Sequence, residues 1–375
     1  MVGVIFSLLV FMAFGAWADE GHGHGAKDKG KGYIRVLSPG GYEVVVGRAN
    51  PLKELSYRLE QDAQGRAVKV FTLTVEDVEF EIYPGRTVQA WGFNGMVPGP
   101  TIRVRQGDRV RLVLKVQAEG EHTIHIHGLK KPTVMDGVPY VSHRPVERGQ
   151  EYVYEFTALN PGTHIYHCHV DTAHHMDMGM YGAFIVEPQE EALRYDRDYI
   201  LILDEWPTGH VHVHEAPMAG HQEHGVITEH PGPARHEHPQ EAPRQRHWYP
   251  KTYRPYEPLY DTFVINGRAF PYTEPLLVKE GEVVRLRLIN AGYMPHYIHV
   301  HAHKFLVVAR DGNLLSEEAR FLADTVEVGP GQRVDVLLKA DNPGLWPLHC
   351  HDLRHVSNEH IYPGGMLTFI RYVQP

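Results

Sequence analysis

Cysteine is nearly absent: the 375 residues contain two, Cys168 and Cys350. So few exclude a disulfide-built scaffold, and pairing them would consume both copies of the motif described below. An excess of positive charge is absent too. Thirty-seven Lys and Arg stand against 46 Asp and Glu, a formal net charge of −9. With no basic cluster, this argues against a nucleic-acid partner. Long apolar runs are confined to residues 1–18, MVGVIFSLLVFMAFGAWA, which end in Ala16-Trp17-Ala18. The run has no basic start, but its length and small-x-small ending predict a secretory signal; an uncleaved anchor is the alternative. The body of the protein is therefore expected to be exported, periplasmic or extracellular, with no stable membrane insertion after processing. What the chain has in abundance is histidine, 28 residues.

Composition divides the chain into five parts. Residues 19–66 form an N-terminal extension expected to be partly disordered, beginning with the Gly-, Lys- and His-containing DEGHGHGAKDKGKG. Residues 67–190 and 260–375 are strand-like throughout. Short β-branched or alternating segments such as Val110-Arg111-Leu112-Val113-Leu114-Lys115-Val116 are separated by turn residues. This predicts an all-β protein of two Greek-key sandwiches. Residues 191–259 read as an interdomain linker carrying a Pro-, Gly- and His-rich insertion, with His210, His212, His214, His221, His224, His230, His236 and His238. Such a tract serves either as a solvated linker or as a trap for soft metal ions.

The remaining histidines are organised around the cysteines. Residues 162–180, GTHIYHCHVDTAHHMDMGM, place Cys168 between His167 and His169, followed by His174, His175 and Met180. Residues 343–366 repeat the pattern with His349, Cys350 and His351, then His355, His360 and Met366. A thiolate, two imidazoles and a thioether are the soft ligand set of a blue-copper site. On an extended strand the neighbours of a cysteine point to the opposite face, so His167 and His169 are free to bind other metal ions across the strand. Upstream, His122-x-x-His125-x-His127 recurs in register as His296-x-x-His299-x-His301. Alternation sends the last two histidines of each triplet to one face and the first to the other. Each half of the chain therefore offers one histidine to its own cysteine and a pair to a second metal site.

On HIHGL at 125–129, MDGVP at 135–139, GTHIYHCH at 162–169, HYIHVHAH at 296–303 and HCHDLRH at 349–355, the chain resembles two-domain multicopper oxidases of the small-laccase type. The resemblance implies two cupredoxin domains and an oxidase, laccase-like or metal-oxidising, that reduces dioxygen to water at a trinuclear copper cluster. It assigns His125 and His299 to a type 2 copper. His127, His167, His169, His301, His349 and His351 fall to a type 3 pair. The type 1 sites would be His122, Cys168, His175 and Met180 in the first domain, with His174 the alternative to His175. In the second they would be His296, Cys350, His355 and Met366, with His360 the alternative axial ligand. Asp136 corresponds to an acid that supports proton delivery near the type 2 copper, and proton-consuming chemistry gives such an acid a reason to exist. Asp171 and Asp352 are weaker candidates for supporting roles, and His143, His164 and His303 are expected to be structural.

Methionine axial ligands imply modest potentials, suited to phenols, Cu(I) or Fe(II) as reductant. Similar oxidases assemble as homotrimers, with the cluster between subunits. Two other classes fit less well. A copper nitrite reductase shares the fold but has no cysteine site in its second domain. A copper carrier has no use for two electron-relay cysteines.

Overall fold

Period-2 alternation does in three dimensions what it predicts. In the strand Arg109–Val116, Val110, Leu112, Leu114 and Val116 are buried while the residues between them lie nearer solvent. The computed structural model describes residues 32–38, 40–48, 52–208 and 260–373. It contains two tandem Greek-key sandwiches of the cupredoxin type. The predicted signal, residues 19–31 and the His-rich tract lie outside the described residues. Among those described, no helix is long and apolar enough to cross a membrane.

In the first domain, one sheet carries Glu151–Thr157, Arg109–Val116, Ala67–Tyr83 and Arg58–Gln61 in that order, with Arg86–Phe93 also on Ala67–Tyr83. The facing sheet runs Gly99–Arg105, Tyr181–Glu187, Gly162–His167, His125–Ile126. The second domain repeats the plan. Leu276–Val278, Leu367–Tyr372, Leu345–Cys350, His296–Val300 and Thr325–Val328 face a larger sheet built on Val283–Asn290 and Arg333–Lys339. Each domain has its own apolar core, and each core contains one cysteine and one methionine: Cys168 with Met180, Cys350 with Met366.

The boundaries differ from those read in the sequence. Within the expected extension, Tyr33–Leu37 and Glu43–Gly47 form an antiparallel hairpin. It docks on the second domain, where Tyr33 stacks on Tyr272 and Val45 packs beside Phe270, Val356 and Leu367. Arg58–Gln61 pairs with Ala67–Tyr83 and so belongs to the first domain's sheet. Arg197–Trp206, inside the expected linker, is a ten-residue strand of the second domain. It runs parallel to Val283–Asn290 and antiparallel to Thr262–Ile265. Its buried half, Leu201 to Trp206, includes the carboxyl side chains of Asp204 and Glu205, which breaks the apolar pattern by which buried strands are recognised.

The domains meet through an apolar layer and a buried charged one. Ile165, Tyr181, Ala183 and Ile185 of the first pack against Ile202, Ile289 and Ala291. Beside them, Asp335 Oδ2 accepts from Thr163 Oγ1 (2.9 Å) and from Arg285 Nη2 (2.6 Å). Arg287, 1% exposed, donates to Asp198 at 2.8 Å and to Thr163 Oγ1 at 2.9 Å.

Candidate metal centre

Strand geometry separates the faces of each cysteine strand as the alternation requires. Cys168 lies in the first core with its Sγ 3.1 Å from His175 Nδ1 and 3.9 Å from His122 Nδ1. His122 ends a short strand, and His175 is brought in by the six-residue helix Thr172–Asp177. His175 is buried and completes the group, whereas His174 is exposed and packs edge-on to Trp91. Trp91 also covers His122 and His175, at centroid distances of 5.4 and 5.0 Å.

The second domain repeats this with different local means. Cys350 Sγ is 3.4 Å from His355 Nδ1, which faces His296 Nδ1 at 3.1 Å. His355 sits in a 3-10 turn, Leu353–Val356, whose Asp352 accepts from Arg354 N, and its ring stacks on Phe263. In both domains a backbone clamp fixes the methionine. Cys168 N donates to Met180 O and Met180 N to His175 O, each at 3.1 Å; Cys350 N donates to Met366 O (3.0 Å) and Met366 N to His355 O (2.8 Å). Met366 therefore holds the place of Met180 although its loop is longer, and His360 is exposed. The longer loop folds back on itself: Asn358 Oδ1 accepts from Gly365 N at 2.7 Å. Gly365, at φ +59, has to be glycine, because a Cβ there would lie 2.1 Å from His355 O.

Across each strand lies a histidine group. His125, His127 and His167 bring their ligand atoms within 4.8 Å of one another, as do His299, His301 and His349. Sheet register makes the pairing: His167 stands opposite His125, and His349 opposite His299. His169 and His351 approach the same groups, at ring-centroid distances of 5.4 Å from His125 and 5.2 Å from His299. Backbone carbonyls set the tautomers. His167 Nδ1 donates to Cys168 O (2.7 Å) and His349 Nδ1 to Cys350 O (2.8 Å), which leaves both Nε2 atoms for a ligand. His125 Nδ1 likewise donates to Asp136 O, and His299 Nδ1 to Asp324 O.

Burial lowers the basicity of these rings. It brings His127 and His175 down to about 3, and His349 and His355 to about 4. It pushes both thiols up to about 11. Neutral imidazoles and a thiol converging in a dry pocket, with a buried methionine clamped beside them, are a donor set that fits copper.

Asp136 follows the short 3-10 turn Thr133–Met135. Its Oδ1 lies 2.7 Å from Lys131 Nζ and 3.3 Å from His125 Nδ1. Partial burial works against its charge, but the Lys131 hydrogen bond and the nearby cationic groups hold it below the usual carboxylate range. Gly137 is required by the approach of this turn to the ligand strand: a Cβ would meet Ile124 O at 1.9 Å. His143 is stacked on Tyr152, His164 donates to Asn160 O, and His303 bridges His301 O and Tyr372, so all three are tied into the protein itself. Three neighbours of the site were not singled out in the sequence: Trp91, Asp324 and Glu205, whose Oε2 is 3.1 Å from His296 Nε2. None carries a spacing signal, because each arrives from a strand or loop remote in the chain.

Family profiles described as multicopper oxidase match residues 74–191 and 228–363. Copper resistance protein A of Escherichia coli is 28% identical over 311 residues, 77% of this chain and 49% of that protein. The chain thus spans about half the length of the curated relatives it matches. Two solved structures match over most of both chains. The blue copper oxidase from Nitrosomonas europaea is 35% identical with a TM-score of 0.66, covering 81% of this chain and 85% of its own. The multicopper oxidase mgLAC is also 35% identical at a TM-score of 0.66, covering 82% and 87%. With a His-Cys-His cluster of the type 1 copper kind in each of its two cupredoxin domains, the chain belongs to the multicopper oxidases.

Proposed function

We propose that the protein is a copper-dependent oxidase that takes single electrons from a small reductant and reduces dioxygen to water at a cluster completed between subunits. One observation carries this reading. Each buried cysteine is bonded through the backbone to histidines that join a second imidazole group on the other face of its strand. Bound copper supplies the one-electron redox chemistry. The chain supplies geometry and wiring.

In this reading His122, Cys168, His175 and Met180, and likewise His296, Cys350, His355 and Met366, hold type 1 copper. His125 and His299 hold type 2 copper. His127, His167, His169, His301, His349 and His351 hold the type 3 pair. Cys168 and Cys350 each carry electrons outward through two covalent neighbours. Asp136 Oδ1, ionised and shared between Lys131 and His125, accepts and passes protons toward the oxygen-reducing face.

The halves support assembly from several chains. Among the described residues, each metal-binding group draws its members from one domain. Exposed apolar side chains lie near both halves: Val134, Tyr140 and Val141 beside the Asp136 turn, Leu322 and Leu353 beside His299 and His351. A cyclic homotrimer would join first-domain to second-domain faces and close the ring with three clusters. The reductant is a metal ion or a phenol. The name of the Escherichia coli relative, copper resistance protein A, favours Cu(I). A nitrite-reducing enzyme on the same fold has no use for the cluster around Cys350.

Oxygen uptake by the copper-loaded protein with Cu(I), Fe(II) and a phenol, run side by side, tests the proposal. It predicts four electrons consumed per dioxygen, no peroxide release, and the fastest turnover with Cu(I). Peroxide as the main product, or nitrite reduction without oxygen uptake, would refute it.

A further inference from the structure

The two blue-copper clusters agree closely. Each has the same residue types, the same methionine clamp, and one backbone N–H directed at the sulfur, from Thr123 at 3.5 Å and from Tyr297 at 3.3 Å. They differ on the far nitrogen of the first histidine. His122 Nε2 donates to a neutral carbonyl, Glu119 O, at 2.9 Å. His296 Nε2 donates to the carboxylate of Glu205 at 3.1 Å, and both side chains are wholly buried.

The seat of Glu205 is built for an anion. Its Oε1 accepts from the backbone N–H of Tyr293 and, at 2.8 Å, of Met294. Three donors therefore face one carboxylate. Residue 292 is glycine because a Cβ there would lie 2.0 Å from Glu205 Oε2. The neighbouring Asp204 is driven well toward its neutral form, by burial first and by the Glu205 charge second, and its Oδ2 accepts from Tyr181 Oη at 2.6 Å. Other charges near the clusters are offset or remote. Asp352 lies 3.6 Å from His355 Nε2 but is paired with Arg354 at 2.6 Å. On the first-domain side Asp77 acts on His122 only through space. Asp177, on the helix that carries His175, is held by Tyr260 Oη at 3.1 Å.

We infer that Glu205 is a positioning residue that makes the two blue sites redox-unequal: through His296 it favours Cu(II) in the second domain, so electrons rest preferentially on the first-domain site. A buried negative charge stabilises the more positive metal state, and a low-dielectric surround keeps the effect unscreened. The second-domain site then gives up electrons readily, and the first-domain site stores them. No bond forms or breaks. The inference rests on the reading that both clusters hold copper.

Potentials test it independently of turnover. Cys168→Ser leaves only the second-domain blue band, and Cys350→Ser only the first. Each copper-loaded variant is poised against the same ferricyanide–ferrocyanide mixtures while its band is followed. The Cu(II)/Cu(I) ratio at the second-domain site is expected to exceed that at the first by about tenfold or more, tenfold being about 59 mV for one electron. Glu205→Gln placed in Cys168→Ser should remove that excess, and Glu205→Asp, which keeps the charge, should retain most of it. Glu205→Gln in Cys350→Ser should leave the first-domain ratio unchanged. Equal ratios at the two isolated sites overturn the inference, as does a blue, correctly assembled Glu205→Gln variant with an unchanged ratio. Should that variant not fold, comparison of the two cysteine variants alone decides. A colourless but folded and otherwise copper-loaded Cys168→Ser overturns the two-copper reading itself, which is a different result from equal potentials.

Discussion

At the scale of single residues, the site is assembled from groups kept uncharged by burial. His122, His125, His127, His167, His175, His301, His349 and His355 all have lowered basicity, with desolvation the leading cause. The folded chain resists protonation until about pH 3–4 at His127, His175, His349 and His355, whereas an unfolded histidine protonates near 6.5. Below about pH 6.5 the unfolded state therefore binds more protons, and stability falls as pH falls toward 4. We predict that the Tm of the metal-free protein is flat from pH 8 to about 6.5 and drops steadily below it. A Tm that holds down to pH 4 would contradict the burial of these rings as neutral groups. Residue identity at the clusters was legible in the chain because chemistry and spacing coincide there: a lone cysteine between histidines, repeated, has few other readings. His175 over His174 and Met366 over His360 are choices the spacing to Met180 and the strand after each methionine already favour, to which the structure adds burial and a backbone clamp. Glu205 was not legible, since nothing in Asp204-Glu205-Trp206 announces a histidine ninety-odd residues downstream.

At the scale of elements, the strand is what makes the wiring possible. Gly162–His167, with Cys168 directly after it, and Leu345–Cys350 each turn a cysteine toward their own core and a histidine toward the opposite face. The first of these strands also carries the domain contact, for Thr163 joins the buried charges on Val283–Asn290 and Arg333–Lys339. Asp335, 2% exposed, balances Arg285 and lies 3.7 Å from Arg287. Removing one member of such a group leaves buried charge uncompensated, at a cost of about 3–5 kcal/mol. Asp335→Ala is accordingly expected to lower the urea midpoint markedly while leaving both blue bands intact in the folded fraction. A midpoint within error of the parent would show the network to be energetically idle. The strands of the two sandwiches were readable from alternation. Arg58–Gln61 and Arg197–Trp206 were not, because one is a polar edge strand and the other buries carboxylates where the pattern asks for apolar residues. Tertiary partners, not local preference, make both of them strands.

At the scale of the whole molecule, each chain carries two His-Cys-His clusters of the type 1 copper kind and, across their strands, two histidine groups. The proposed oxidase needs a first-domain half to meet a second-domain half. The domain contact inside one chain is built on Ile165, Tyr181, Ile202 and Ile289 and the charges beside them. Subunit mixing tests the central claim most directly. One variant carries His127→Ala and His167→Ala, which disables the first-domain half; the other carries His301→Ala and His349→Ala, which disables the second. Alone, each should form trimers that are blue but do not consume dioxygen. Co-assembled at random in equal amounts, they should recover about a quarter of the parent oxygen uptake, because each mixed trimer regains one intact interface of three. Mixed trimers verified by mass that remain inactive would place the whole cluster within a single chain and contradict the account.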